Sequence, residues 1–214
     1  MKLIITTLAI LLSASLGQAQ EVSSFRLTIK NTTPGQPLTS FFVAVHEPGY
    51  NLFELGEEAS EGLKEQAKDG GIRLLDREVS ANSKVVATTR TQGGVRPGQS
   101  RSITFRSQDN RLVSMSSMLA RTNDGFVATR GFKLPQVKGE VVKTELRVYD
   151  AGAEANTESC AHVPAPPCDS HGADTSTNEG FVTVHPGIQN NGDLDPIRDA
   201  FSTVAGAVIT IEKL

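Results

Sequence analysis

Apolar and polar residues alternate strictly in Phe25-Arg26-Leu27-Thr28-Ile29-Lys30, the period-two pattern of a strand with one face buried. Asn31-Thr32-Thr33-Pro34-Gly35 follows with the residue types of a turn. Residues 41–46 are more continuously apolar, whereas residues 84–89 and 102–106 alternate again, with Gly93-Gly94 and Pro97-Gly98 between them. Residues 112–119, 141–149, 180–185 and 204–212 complete a set of about eight or nine strands separated by turn signals. That spacing predicts an all-β fold, an antiparallel β-sandwich or barrel. One segment departs from it. Residues 60–67 open on the capping residue Ser60, contain helix formers, and set Ala59, Leu63 and Ala67 on one face. We read one short helix there, closed by Gly70-Gly71.

The amino terminus has a different pattern. Lys2 precedes an apolar run from Leu3 to Leu12, and small residues then lead to Gly17-Gln18-Ala19. This order predicts a signal peptide over residues 1–19, cleaved after Ala19. The run is too short for the roughly 20 apolar residues that span a bilayer. Residues 20–214 then form a single domain, exported to the periplasm or secreted, with no transmembrane segment in the mature chain. At 38% hydrophobic and 21% charged residues the chain can build a core. Aromatics are only 5% and Trp is absent, so that core rests on Val, Ile, Leu and Phe. Net charge is −3, and losing the one positive charge of Lys2 makes it −4. A weakly acidic chain with no basic stripe in its sequence argues against nucleic acid as the main partner.

Cys160 and Cys168 lie close together in a Pro-rich stretch, inside a polar insert over residues 150–178. In an oxidising compartment they read as a disulfide; two free thiols, or soft metal ligands beside His162, are the alternative. Candidate chemistry gathers at two turns. Ser117-Met118-Leu119-Ala120-Arg121-Thr122-Asn123-Asp124-Gly125-Phe126-Val127 carries Asp124, and Tyr149-Asp150-Ala151-Gly152-Ala153-Glu154 carries two further acids. Acids at strand ends on facing loops form a hard-oxygen site of the kind calcium prefers, with six to eight oxygens at about 2.3–2.6 Å. Solvated surface acids are the competing reading for such residues.

The phrase Ser-Met-Leu…Asn-Asp-Gly-Phe-Val followed by Tyr-Asp-Ala-Gly-Ala-Glu resembles the spondin domain of F-spondin and mindin type, in its bacterial secreted version. Asn31-Thr32-Thr33-Pro34-Gly35-Gln36-Pro37, Ala59-Ser60-Glu61-Gly62-Leu63, Glu154-Ala155-Asn156-Thr157-Glu158 and His185-Pro186-Gly187-Ile188 extend the resemblance over almost all of the mature chain. It implies a sandwich similar to the calcium-dependent membrane-binding sandwiches, with Ca2+ bound at one end by three acids. The matching positions are Asp124, Asp150 and Glu154. Two positions depart from the family pattern. Gly125 stands where the family has Trp, and Glu154 where it has Asp. Thrombospondin-type repeats with their cysteines are not present in the sequence, so integrin-like animal partners are not implied.

Other candidates are weaker. Asn190-Asn191-Gly192-Asp193-Leu194-Asp195 resembles half a calcium loop but lacks its closing Glu. His46, His162, His171 and His185 have no zinc spacing, and Ser117 sits in no nucleophile elbow. The sequence therefore predicts a calcium-binding, non-catalytic adhesion or binding module whose partner is an extracellular or envelope protein or glycan. A structural envelope or matrix component, in which calcium only stabilises the fold, is the alternative, and a hydrolase is the weaker third.

Overall fold

The computed structural model describes residues 22–170 and 174–214, so the signal-peptide reading and His171 lie outside the described residues. The described residues form nine strands: β1 (Val22–Asn31), β2 (Phe42–His46), β3 (Val85–Arg90), β4 (Ser100–Gln108), β5 (Leu112–Met118), β6 (Gly125–Lys133), β7 (Val141–Asp150), β8 (Thr183–Val184) and β9 (Ala207–Lys213). All pairings are antiparallel, in the order β3-β2-β5-β6-β7-β9-β1-β4, with β8 added to β7. The all-β reading holds.

β7 joins the two halves of this order. Its first part, from Val141 to Leu146, pairs with β9. Its last four residues pair instead with β6, Arg147 opposite Ala128 and Asp150 opposite Gly125. The alternation of Leu27, Ile29, Phe105, Ile209 and Ile211 on one sheet meets Val43, Val45, Met115 and Val127 of the other in a common core. β2 is buried throughout, and apolar up to His46, because both its faces are covered. Val43 and Val45 enter the shared core, whereas Phe42 and Ala44 face a second cluster under the helices.

Among the described residues there are two helices, not one: α1 (Glu61–Asp69) and α2 (Arg73–Ser80). α1 begins as expected, Ser60 Oγ accepting from Leu63 N at 3.3 Å, and ends at Gly70 with φ +79°. α2 follows directly. Leu75 and Val79, four residues apart, turn the same face to the second cluster, a helical spacing hidden in a short charged stretch. Gly62 makes the crossing of the helices possible, since a Cβ there would lie 2.4 Å from Leu75 Cα.

β6 is the other element the pattern does not announce. Its alternation is broken at Arg130-Gly131, where the register against β5 shifts, Gly131 has φ +64°, and Gly131 N donates to Ser114 Oγ at 2.9 Å. β8 is shorter than its sequence pattern, confined between Gly180 (φ +85°) and the His185-Pro186 turn. The disulfide Cys160–Cys168 is formed, and Cys168 packs with Val163 and Leu194 in a small cluster under the insert.

Gly62→Ala tests the helix crossing. Helix propensity alone favours Ala by about 1 kcal/mol. The backbone contact at Leu75 outweighs that gain, so thermal melts should show a lower Tm for the variant than for the parent chain. A higher Tm would show that the helices separate freely.

Candidate metal centre

Antiparallel register brings the acids together. Gly125 opens β6 opposite Asp150, the last residue of β7, so Asp124 and Asp150 emerge at the same end of the pair. The turn before β6 is fixed by Thr122, whose Oγ1 donates to Leu119 O at 2.8 Å and accepts from Gly125 N at 2.9 Å. Asp124 Oδ2 accepts from Ala153 N at 2.6 Å and Glu154 N at 3.0 Å. Asp150 Oδ1 accepts from Gly152 N at 2.7 Å, and its Oδ2 accepts from the Asn156 side-chain amide.

Gly152 then draws in a third acid. At φ +66°, its carbonyl accepts from Gly180 N at 2.7 Å, and a Cβ there would lie 2.4 Å from Phe181 O. This close approach sets Glu179 beside the first turn, where its Oε1 accepts from Asn156 N at 3.2 Å. One carboxylate oxygen from each of Asp124, Asp150 and Glu179 lies within 4.8 Å of the other two. Asp124 Oδ1 is buried with no hydrogen-bond partner among the described residues. Among those residues, no Lys or Arg pairs with these three acids.

Burial, then the neighbouring Asp150, holds the Asp124 carboxyl well above the usual carboxylate range. Asp150 is pushed up to about 6, first by burial and also by the charge of Glu179, against the opposing hydrogen bonds from Asn156 and Gly152. Uncompensated buried carboxylates are costly, and a divalent cation with oxygen ligands relieves that cost. The set holds no Cys or His, so its donors are those of a hard ion.

Glu154 has a different place. It donates its backbone N–H to Asp124, while its buried carboxylate lies outside the group of three, near Asp174 and Lys68. Lys68 Nζ contacts Asp174 Oδ1 at 2.7 Å, and burial followed by the charge of Asp174 pushes Glu154 up to about 7. Glu179 is the residue the sequence reading missed. Its signal was the strand over residues 180–185: pairing that strand with β7 carries the residues before it past Asp150.

The Gly125 departure from the family pattern has a steric cause. A Cβ at that position would lie 2.7 Å from Thr122 Oγ1 and 2.9 Å from His185 Cδ2. The His185 ring, packed edge-on against Phe201 at 5.0 Å, fills this region; burial pushes its pKa down to about 4 and keeps it neutral. Ser117 Oγ donates to Thr39 O at 3.0 Å. In the half-loop, Asp193 accepts from Cys160 N and Asp195 from Ile197 N and Arg198 N, so these acids fasten turns.

Neutralising Asp124 should stabilise the cation-free protein. Asp150, with its pKa raised from 3.8 to about 6, favours folding at low pH, and that contribution is lost as pH rises through about 6. Asp124→Asn removes one of the repelling charges. In chelator at pH 8 the variant should melt a few degrees higher, on the order of 1–2 kcal/mol, with the gain shrinking at pH 5. A lower Tm at pH 8 would contradict the electrostatic account.

The Spondin_N family model matches residues 30–179, which include both turns, Glu154 and, as the last residue, Glu179. Comparison with curated protein sequences finds no match. No helix among the described residues is long and apolar enough to cross a membrane. With its fold, its disulfide and a match over most of its length, the chain belongs to the Spondin_N family of extracellular-type domains.

Proposed function

We propose that this chain is an exported calcium-binding module without catalytic activity, in which Ca2+ orders the loops that meet an extracellular or envelope partner. The observation that carries the reading is the buried, unpartnered Asp124 Oδ1, facing a group of acids with no basic residue to balance them. Asp124, Asp150 and Glu179 would hold the ion, with carbonyls or waters completing its shell. Glu154 retains the family position as the residue whose N–H orients Asp124, and its carboxylate is a further candidate ligand. Bound calcium would supply the positive charge that keeps the Asp124 turn, the Asp150 turn and the residue 178–181 segment together. A partner would then not have to order them itself.

A cleft of about 630 Å³ lies beside this end, between α1 and the segment from Asn178 to Phe181, with Gly152 and Ala153 on its wall. Its position makes the ordered loops part of a binding surface. Export over residues 1–19 and formation of the disulfide fit calcium-rich surroundings outside the cytoplasm. A second reading rests on Ala151 and Val182, buried members of the helix-side core that belong to the same two segments. In that reading the ion chiefly stabilises the fold.

Calorimetry on the full chain should show one calcium ion bound with Kd on the order of 10⁻⁴ M or tighter. Glu179→Gln should weaken it about tenfold without lowering the melting temperature in chelator, because Glu179 is exposed and its charge opposes that of Asp150. A larger loss for Glu154→Gln than for Glu179→Gln would move the third ligand back to Glu154. Absence of calcium heat, with an unchanged Tm, would remove the ion from the account.

Asp150→Asn separates the two readings. It should leave circular dichroism almost unchanged while weakening calcium-dependent capture of partners from native envelope extract. Unfolding of the variant would favour the stabilising role.

A further inference from the structure

The outer face of β7-β9-β1-β4 carries a charge opposite to that of the chain as a whole. Both helices pack on the other sheet, α1 against β5 and β6 and α2 against β3, so neither helix covers this face. Residues 24, 26, 28 and 30 of β1 point outward, because Phe25, Leu27 and Ile29 point into the core. Register then fixes their outward neighbours: Arg106, Thr104, Ser102 and Ser100 on β4, and Glu212, Thr210 and Val208 on β9. On β7, Val141, Lys143 and Glu145 continue the rows, and exposed Arg147 lies just beyond them, where β7 pairs with β6.

The cations here are Arg26, Lys30, Arg106, Lys143 and Arg147, against two acids, Glu145 and Glu212, in a chain of net charge −3. Arg26 is paired with Glu212 at 2.7 Å. The other four cations are exposed and make no ion pair among the described residues. Hydroxyls lie between them, Thr28 and Ser102 sharing a hydrogen bond at 2.8 Å.

We infer that this face is a docking surface for a linear acidic polysaccharide. Four strands at about 4.8 Å spacing make a strip about 14 Å across, and Arg26 and Lys30 stand about 13 Å apart along β1. Such a strip meets an extended chain of carboxylates with separated cations, while Ser and Thr hydroxyls face sugar hydroxyls. The outward positions hold no aromatic ring for stacking unpaired bases. Their apolar members are only valines, which offer no large side chain for insertion into a bilayer, and a four-stranded face is broader than the helix or two-stranded ribbon that a DNA groove admits. Most of this surface lies away from the candidate metal centre, since Lys143 and Asp150 are seven residues apart on β7, about 23 Å; Arg147 stands nearest to it, three residues or about 10 Å from Asp150.

The test titrates the full chain with a linear polyuronate at 50 mM and 300 mM NaCl, with and without chelator. Neutral dextran, anionic phospholipid vesicles and duplex DNA serve as comparison ligands. The Lys30→Glu/Lys143→Glu variant is set beside Arg77→Glu/Lys133→Glu, which makes the same charge change on α2 and β6, and thermal melts verify that both are folded. Polyuronate affinity should fall at least tenfold in the first variant and at the higher salt, and persist in the second and in chelator. The inference is overturned by no polyuronate binding at 50 mM NaCl, by equal losses in both variants, or by loss of binding in chelator. Tighter binding to vesicles or DNA than to polyuronate would also overturn it.

Discussion

The short pairing of Gly125 through Ala128 with Arg147 through Asp150 governs both the fold and the site. Without it β7 would belong only to the sheet of β9, β1 and β4, and the two sheets would share a core but no strand. With it, Leu146 and Val148 extend the common core while Tyr149 turns to the helix side, where it packs against Phe53 at 4.8 Å and Phe126 at 5.7 Å. The pairing ends where hydrophobic residues give way to Asp124 and Asp150, so the acids are anchored by buried neighbours on the chain. A four-residue ladder is weak alone; burial on both faces gives it strength.

This anchoring explains why the acids are tolerated. Asp124 and Asp150 are each held by backbone N–H groups from the turn at Gly152 to Glu154, so the charged form is solvated by the chain itself even where water is excluded. That solvation is incomplete, because Asp124 Oδ1 has no donor. The turn is thus shaped by hydrogen bonds yet left electrostatically unsatisfied. This combination favours an incoming cation, which would supply the positive charge that the described residues do not.

Much of this was legible from residue pattern. The strand alternation at Phe25–Lys30, the capped helix at Ser60 and the two acidic turns all rest on short-range rules that the tertiary structure obeys. β6 and α2 were not legible for opposite reasons. In β6 a bulge at Gly131 breaks the period, and in α2 the two buried apolar positions, Leu75 and Val79, are too few to outweigh their charged neighbours. Glu179 was missed because its approach to Asp150 follows from β7–β8 pairing, a contact between residues distant in sequence. The basic face was hidden for the same reason: its cations come from three strands and never adjoin one another along the chain.

The segment Asn31-Thr32-Thr33-Pro34-Gly35-Gln36-Pro37 also gains a physical role from the hydrogen bonds. Asn31 Nδ2 donates to Gln36 O and Val95 O, while its Oδ1 accepts from Thr33 N, closing the loop upon itself. Gln36 then grips Arg121 on both sides, its Oε1 accepting from Arg121 N at 2.9 Å and its Nε2 donating to Arg121 O at 2.9 Å. The same Nε2 donates to the carbonyl of buried Asp199, whose carboxylate meets Arg121 and Arg198. Arg121 stands three residues before Asp124, so the buried amide of Gln36 fixes the base of the turn whose tip carries the acid. A polar group is kept in the interior there because each of its hydrogen-bonding atoms has a defined backbone partner. The motif therefore supports the acidic cluster from behind without contributing a carboxylate to it.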